Sequence, residues 1–571
     1  MPLINFFSTR DIKYTTRSVW WDITVFIMVM LFLYLLSQTA SDILIPYEVG
    51  DPINIDLDPW GLPYYAFRTI LRMFVALAVS LFVAFIFGSM AAKSATAERI
   101  ILPAVDVLQS IPVIGFLELA FIWFLYAFPG SFLGPEIASI FAVFVSQVWN
   151  LILAFYQSLK TIPVNYQEMA FIYRFSPWQK FCKLELPFAA PSLIWNSMLS
   201  LSAGWFFVVA GEAITIANHD VALPGIGAYI AQATKEGNVA AIYYAIACLF
   251  VVILIYDQMI FRPLNYWLRA RKGEGGKPNW VWKMAKHSVL LSVIQLGFTR
   301  VWLWISARKK KHSSRFNIRV FRVRDWHAYL GYMLTASVSA LLVYYAVFSL
   351  PDITLDMLTE VFVLGFYTAM RVMLLVILCA LIWTPVGIYL GLNERVADIL
   401  QPVVQFLASF PPNMLYPLIG SVIIYRGYNP DIWLSPLIVL GTQWYVLFNV
   451  IAGVRAMPED ALMLSDALQM SRWLMFKRVL MPGILPSMVT GMLTAAGGAW
   501  NTSIVAEAVD WNGQRIYAQG LGAYIMQASQ EGLSQNVYLG VLVMCVYVLV
   551  INRFVWMPLY RFVAQRYGGN L

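Results

Sequence analysis

The sequence predicts an all-α membrane protein with about 12 transmembrane helices, arranged as two parallel six-helix repeats. Three observations predict it: an apolar share of 60% with only 12% charged residues, uncharged runs of spanning length, and a second half that repeats the first. A soluble domain carries about 45–50% apolar residues, so the composition excludes one. The net charge of +8 does not point to nucleic acid, because the basic residues are concentrated in one segment. Between Arg269 and Arg324 lie 15 of the 39 Lys and Arg residues, against Glu274 and the adjoining Asp325. Such a segment is held on the cytoplasmic side.

A helix needs about 20 mostly apolar residues to cross a bilayer. By that measure the first half gives spans at 19–37, 66–91, 102–128, 137–159, 189–217 and 239–264. The second gives 328–350, 362–392, 400–424, 432–454, 483–509 and 537–562. Arg10, Lys13 and Arg17 ahead of the first run imitate a signal peptide, but no small-residue cleavage site follows, so the run reads as a retained span. With that basic end inside, the loop 41–58 with Asp42, Glu48, Asp51, Asp56 and Asp58 falls outside, and so do Asp352, Asp356 and Glu360. Both termini are then cytoplasmic, in a multi-pass protein of the cell (inner) membrane.

The repeat is read at fixed offsets. At 295 positions it pairs Trp149 with Trp444, Pro191 with Pro486, Trp205 with Trp500, Glu212 with Glu507 and Pro263 with Pro558. The segment GIGAYIAQATKEG from Gly225 recurs as GLGAYIMQASQEG from Gly520. Earlier in the chain the offset is 299, pairing Thr69 with Thr368, Arg72 with Arg371, Gly88 with Gly387 and Pro112 with Pro411. The division is a first unit at 1–269, a basic linker at 270–327 and a second unit at 328–571. Within the linker, 280–305 is apolar, but a further crossing would invert the second unit. It reads as an amphipathic segment on the inner leaflet, with Trp280, Trp282, Trp302 and Trp304 at the interface and Lys309, Lys310 and Lys311 near anionic headgroups. A solvated basic linker is the alternative.

Catalytic signatures are missing from the sequence. No phosphate-binding loop occurs, and 273–278 lacks both its spacing and its hydroxyl residue. His219, His287, His312 and His327 are scattered, and Cys182, Cys248, Cys379 and Cys545 have neither metal-ligand nor redox spacing. No cofactor and no metal is expected on this chain.

Two polar interruptions, 161–187 and 456–482, are the most informative stretches. Each opens on a proline, carries a Trp midway (Trp178, Trp473), then a Phe and a basic residue (Phe181 and Lys183, Phe476 and Arg478), and closes on Pro187 or Pro482. Read as helix, the first has Pro163 in its opening turn and a break at Pro177, giving two short helices with Phe171, Trp178 and Phe181 as apolar knobs. These stretches resemble the cytoplasmic "EAA" loop of ABC importer permeases, whose pattern is Glu-Ala-Ala, three residues, Gly, nine residues, Ile, one residue, Leu-Pro. Glu168, Met169 and Ala170 stand at its start, Leu184 at the Ile position and Leu186-Pro187 at its end. In the second copy Met463, Leu464 and Ser465 replace Glu-Ala-Ala, with Asp466 as the nearest acid, followed by Val479 and Met481-Pro482. Arg174 and Gln469 occupy the Gly position. The Ala-Glu ending of the spans that follow the loops (Glu212, Glu507) and the Gly-x-Gly-x-Tyr-Ile after it are similar to the nitrate, sulfonate and taurine branch of these permeases.

The resemblance runs through nearly the whole chain apart from the linker and implies a type I ABC importer fold. It implies that two cytoplasmic ABC ATPase subunits dock on Glu168, Ala170, Arg174, Trp178, Pro187, Asp466, Gln469, Trp473, Arg478 and Pro482. An extracytoplasmic binding protein would deliver the substrate, and ATP and Mg would be bound by the partner ATPases. A charge inside a span costs at least about 2–3 kcal/mol, so Arg72, Arg371, Glu212 and Glu507 are candidates for the translocation path or gate. Snorkelling of the arginines and hydrogen bonding of the glutamates at helix ends are the alternatives. Asp106 and Glu118 have no charged counterpart in the second unit. A secondary transporter with two parallel repeats, driven by an ion gradient, is the rival reading; the repeated loop and the lack of a clear midplane ion site argue against it.

Overall fold

The computed structural model describes residues 19–43, 55–110, 117–216, 219–271, 280–289 and 354–567, with positions 46, 112, 113, 291, 296, 297 and 300. The expected span 328–350, with Trp302, Trp304 and Lys309 to Lys311, lies outside the described residues. Among the described residues, eight helices are long and apolar enough to cross a membrane, and two further pairs do so only if each bent pair counts as one span.

The first unit runs α1 (Val19–Ile43), α2 (Leu62–Lys93), α3 (Ala95–Ser110), α4 (Leu117–Ala127), α5 (Leu133–Lys160), α6 (Val164–Ile172), α7 (Pro177–Lys180), α8 (Leu186–Glu212), the hairpin β1 (Ala213–Ile216) and β2 (His219–Ala222), α9 (Ile226–Lys235), α10 (Val239–Tyr256) and α11 (Arg262–Arg271). The linker contributes α12 (Trp280–His287). The second unit repeats the plan as α13 (Leu355–Leu392), α14 (Glu394–Ser409), α15 (Tyr416–Arg426), α16 (Pro430–Trp433), α17 (Ser435–Leu440), α18 (Gln443–Arg455), α19 (Glu459–Ala467), α20 (Arg472–Met475), α21 (Met481–Ala506), β3 (Ala508–Trp511), β4 (Gln514–Tyr517), α22 (Leu521–Gln530), α23 (Ser534–Ile551) and α24 (Met557–Tyr567).

Small residues let the central helices approach. On α2, Ala76, Ser80, Ala84 and Gly88 recur every fourth residue and are buried, the spacing that puts small side chains on one face and brings backbones together in a membrane. A Cβ on Gly88 would stand 2.9 Å from Phe155 of α5, and one on Gly387 would stand 2.7 Å from Val450 of α18. The first unit's core gathers Met73, Val143, Met198, Trp205 and Tyr229, and Met414 of the second unit joins it. The second unit's core gathers Val372, Val376, Trp500, Ile504 and Leu521.

Three expected spans are broken rather than straight. The stretch 102–128 forms α3 and α4, and 400–424 bends by 75° between Val403–Ser409 and Pro412–Arg426. Pro411 and Pro412 lack the N–H a helix needs and push the preceding residue out of helical geometry. The span 432–454 bends by 43° at the break between Pro430–Leu440 and Gln443–Arg455. The stretches 189–217 and 483–509 also end sooner than hydropathy suggests, because the chain leaves the helix at Glu212 and at Ala506 for antiparallel hairpins.

Other prolines are accommodated inside the rods. Pro187, Pro263, Pro482 and Pro558 each follow a five-residue π turn, at Phe181–Glu185, Asp257–Phe261, Phe476–Leu480 and Asn552–Trp556. The carbonyl four residues before each proline has no N–H to accept from and clashes with the ring, and the wider π turn moves it aside. Pro187 therefore does not close the polar stretch, as the sequence suggested. Helix continues without a break from Pro177 to Glu212 and from Arg472 to Ala506.

The linker helix α12 lies on α1 and α11. Val281 and Met284 pack on Val25, Ser288 donates to Asp22 at 2.6 Å, and Trp282 meets the Tyr266 ring at 5.2 Å. Trp280 faces outward while Trp282 is buried.

Candidate functional site

Three groups of residues stand out: the loops at one end of the bundle, an ion cluster beside each hairpin at the other, and the seams where the units meet.

The loops are alike in backbone as well as in sequence. Arg174 and Gln469, at the position the EAA pattern reserves for glycine, take left-handed φ values of 49° and 46°. Arg174 N–H bonds Phe171 C=O at 2.9 Å and Phe175 N–H bonds Ala170 C=O at 3.0 Å, a Schellman ending for α6. Ser176 then starts α7 with a reciprocal capping box with Gln179, and Ser471 caps α20 through Leu474 N–H. Pro163 is the cap residue just before α6 rather than part of its first turn. Trp178 stacks on Phe181 and Trp473 on Phe476, each at 5.6 Å.

Exposure divides the loop residues by task. Glu168, Arg174, Gln469 and Arg478 are exposed, Trp178 is 44% exposed and Trp473 70%. Ala170 and its counterpart Ser465 are buried and seat each first helix. Phe181 is not an outward knob; its ring turns in to meet Phe85 and Phe155. Pro187 and Pro482 sit in the first turns of α8 and α21. Asp466 is on α19, with its side chain outside the described residues. Each loop thus holds an aromatic knob on a rod whose far end is Glu212 or Ala506.

At those far ends the four charged candidates meet in pairs. Arg72 binds Glu212 at 2.6 Å, Glu136 at 2.6 and 2.7 Å, and Pro224 C=O at 3.0 Å. Arg68 binds Glu136 as well and reaches Asp42 at 3.2 Å. Arg371 binds Glu507 at 2.6 Å, Asp431 at 3.5 Å and Gln519 C=O at 3.3 Å. Neither guanidinium snorkels. Glu212 and Glu507 are buried, and each accepts from the backbone of the next helix, Gly227 N–H and Gly522 N–H, both at 2.8 Å. Thr69 and Thr368 accept from Ile226 N–H and Leu521 N–H.

This arrangement explains the repeated Gly-x-Gly. A Cβ on Gly225 or Gly520 would fall 2.3 Å from the Glu212 or Glu507 carboxylate, and one on Gly227 would fall 2.3 Å from Val209 C=O. Glycine is required by proximity there, not by backbone angle. Sequence reading missed Glu136 and Asp431, although acid faces acid at offset 295. The side chains of Asp106 and Glu118 lie outside the described residues.

The seams join each unit's long rod to the other unit's broken third span. Ser202 of α8 meets Ser409 of α14 at 2.8 Å, and Asn413 Nδ2 donates to Phe206 C=O at 3.2 Å. On the opposite seam Val113 N–H donates to Asn501 Oδ1 of α21 at 2.6 Å. Phe206 and Asn501 are equivalent at offset 295, so the two seams are related by the same pseudo-twofold as the repeat.

Residues 84–261 and 383–568 each match the family described as "binding-protein-dependent transport system inner membrane component". The bicarbonate transport system permease protein CmpB of Synechococcus elongatus is 30% identical over 178 residues, covering 31% of this chain and 61% of the relative. The taurine transport system permease protein TauC of Escherichia coli is 30% identical over 169 residues, covering 30% and 58%. The nitrate import permease protein NrtB of Leptolyngbya laminosa is 26% identical over 190 residues, covering 33% and 63%. The chain spans about three fifths of the length of these curated relatives.

Proposed function

The chain belongs to the family of binding-protein-dependent transport system inner membrane components, and on that premise we propose that it forms the translocation path of an ATP-driven importer for a small oxyanion such as nitrate, a sulfonate or taurine. The observation that carries the proposal is the twofold loop: two left-handed turns, two Trp–Phe stacks and two unbroken rods at equivalent positions. The names of the relatives support an oxyanion.

The units are 1–269 and 328–571, joined by the linker 270–327, with both termini cytoplasmic. Each loop receives one ATPase subunit, through Glu168, Ala170, Arg174, Trp178 and Pro187 in the first and Asp466, Gln469, Trp473, Arg478 and Pro482 in the second. ATP and Mg stay on those partners, and a binding protein loads the opposite face. The helix Pro177–Glu212 has 36 residues, about 54 Å at 1.5 Å per residue. Displacement of Trp178 by a closing ATPase therefore reaches Glu212 along one rigid rod, and the Arg72–Glu212 and Arg371–Glu507 pairs act as the outer gate.

The test is Trp178→Ala and Trp473→Ala in the purified assembly. Truncating a buried aromatic anchor costs about 2 kcal/mol or more at an interface, roughly 30-fold in affinity. Each variant is expected to lose copurifying ATPase and ATP-dependent uptake while unfolding at the wild-type temperature. Normal copurification and uptake would refute the docking assignment. Uptake by the chain alone under an ion gradient would establish the secondary transporter instead.

A further inference from the structure

Breaks at corresponding places in two repeated halves mark where a transporter holds its solute, because irregular backbone at membrane depth is tolerated only inside protein or along a cavity. Here the breaks are at Pro112 and at Pro411-Pro412, and both lie against the opposite unit's long rod. The hydrogen bonds named across the two seams are made by neutral groups: two serine hydroxyls, two asparagine amides and backbone. The nearby cations cannot serve a passing anion, since Arg72 and Arg371 are already bound to carboxylates.

The two seams differ in one respect. Asn501 Oδ1 is satisfied by Val113 N–H. Asn413, only 9% exposed, spends its N–H on Phe206 C=O, and its Oδ1 is buried without a partner. Swapping the amide would place Oδ1 against the Phe206 carbonyl, so the orientation is fixed by that contact. Beside Asn501, Gly497 stands where the first unit has Ser202, and a Cβ there would meet nothing within 4 Å. Of the seam residues named, Asn413 therefore keeps a buried acceptor unanswered, and Gly497 leaves open space beside Asn501 on the equivalent seam.

We infer that Asn413 is a specificity-determining residue of the path, and that the solute it favours is an oxyanion carrying its own hydrogen-bond donor, an O–H or N–H that answers Asn413 Oδ1. Hydroxyls of Ser202 and Ser409 can turn to donate to the anion's oxygens, whereas an amide oxygen can only accept. An oxyanion with acceptors alone leaves that oxygen desolvated and unpaired. This inference rests on the importer reading and narrows its substrate class.

Two nearly isosteric pairs test it. Bicarbonate and nitrate are planar monoanions of similar size, of which only the first carries a hydroxyl hydrogen, and taurine has an ammonium where propane-1-sulfonate has a methyl group. The chain with its ATPases, in nanodiscs without binding protein, is titrated calorimetrically with each. At least one donor-bearing member should bind tenfold or more tighter than its donor-free partner, a difference of 1.4 kcal/mol. Asn413→Leu should bring that ratio to within threefold, and Ser202→Ala should leave it unchanged. Equal binding within both pairs, no binding of any of the four, or an unaltered ratio in Asn413→Leu would overturn the inference. ATP-dependent uptake by the wild-type assembly with binding protein is measured in parallel. If it occurs while the ratios are flat, only this inference fails; if it is absent for all four solutes, the importer reading fails.

Discussion

Arg72 and Arg371 occupy equivalent places, yet their surroundings are unequal. Around Arg72 the acids Glu136 and Glu212 are buried, and Arg68 shares Glu136. Arg371 is 12% exposed, and its second acid, Asp431, is 40% exposed and 3.5 Å away. At the loop end the contrast recurs: Lys93 binds buried Glu185 at 2.7 Å and Lys160 binds Glu98 at 2.8 Å in the first unit. The second unit has Leu392, Leu480 and Ala397 in place of Lys93, Glu185 and Glu98. What the two halves share is backbone geometry, namely the left-handed loop turn, the π turns before proline and the glutamate under Gly-x-Gly. Among the described residues they differ in these ionic ties, and the arginine clamp is the more deeply buried in the first unit.

The largest effect should come from cutting the clamps. Arg72→Met leaves two buried carboxylates with one fewer cation, and removing one partner of a buried pair costs about 3–5 kcal/mol. Arg371→Met should cost about 1–2 kcal/mol less, because Asp431 can be hydrated where it stands. Chemical unfolding of the purified chain in detergent measures both. Equal losses would break the comparison and make the two clamps equivalent.

A smaller effect, equal in the two halves, is expected at the loop turns. A side chain in left-handed geometry costs about 1–2 kcal/mol, which glycine avoids. Arg174→Gly and Gln469→Gly should each stabilise the chain by about 1 kcal/mol after the greater freedom of glycine in the unfolded chain is counted. A gain in only one half would show that the other side chain makes a compensating contact.

Much of this was legible in the sequence. The repeat and the position of the rods follow from hydropathy and fixed offsets, and Arg174 and Gln469, which fill the glycine slot of the loop pattern, hold the left-handed turn. Hydropathy measures length and not direction, so it could not see the end of α3 before Pro112 or the bend at Pro411. Nor could it see that Pro187 sits in a continuous helix, because the π turn that relieves it leaves no mark in composition. The charged residues Arg72 and Glu212 drew notice as charges in spans, but 140 positions separate them. Their pairing depends on a fold that also brings in Glu136 and Asp431, which at the rims of spans look like ordinary loop acids.

The smallest expected effect concerns Glu98, where the second unit has Ala397. Its carboxylate accepts from Lys160 Nζ at 2.8 Å and from Tyr156 Oη at 2.5 Å. Lys160, and then Tyr156, hold its pKa below the ordinary carboxylate value. A depressed folded value means the stabilisation is fully present above the unfolded carboxylate pKa, about 4.3, and is lost as pH falls through the lower folded value. Both partners are partly solvated, so the tie contributes about 0.2–1 kcal/mol. Unfolding midpoints of wild type and Glu98→Gln should therefore differ by that amount at pH 7 and converge towards pH 3. A gap that stays constant across the range would mean the amide disturbs packing rather than charge, and would remove this tie from the list of differences between the halves.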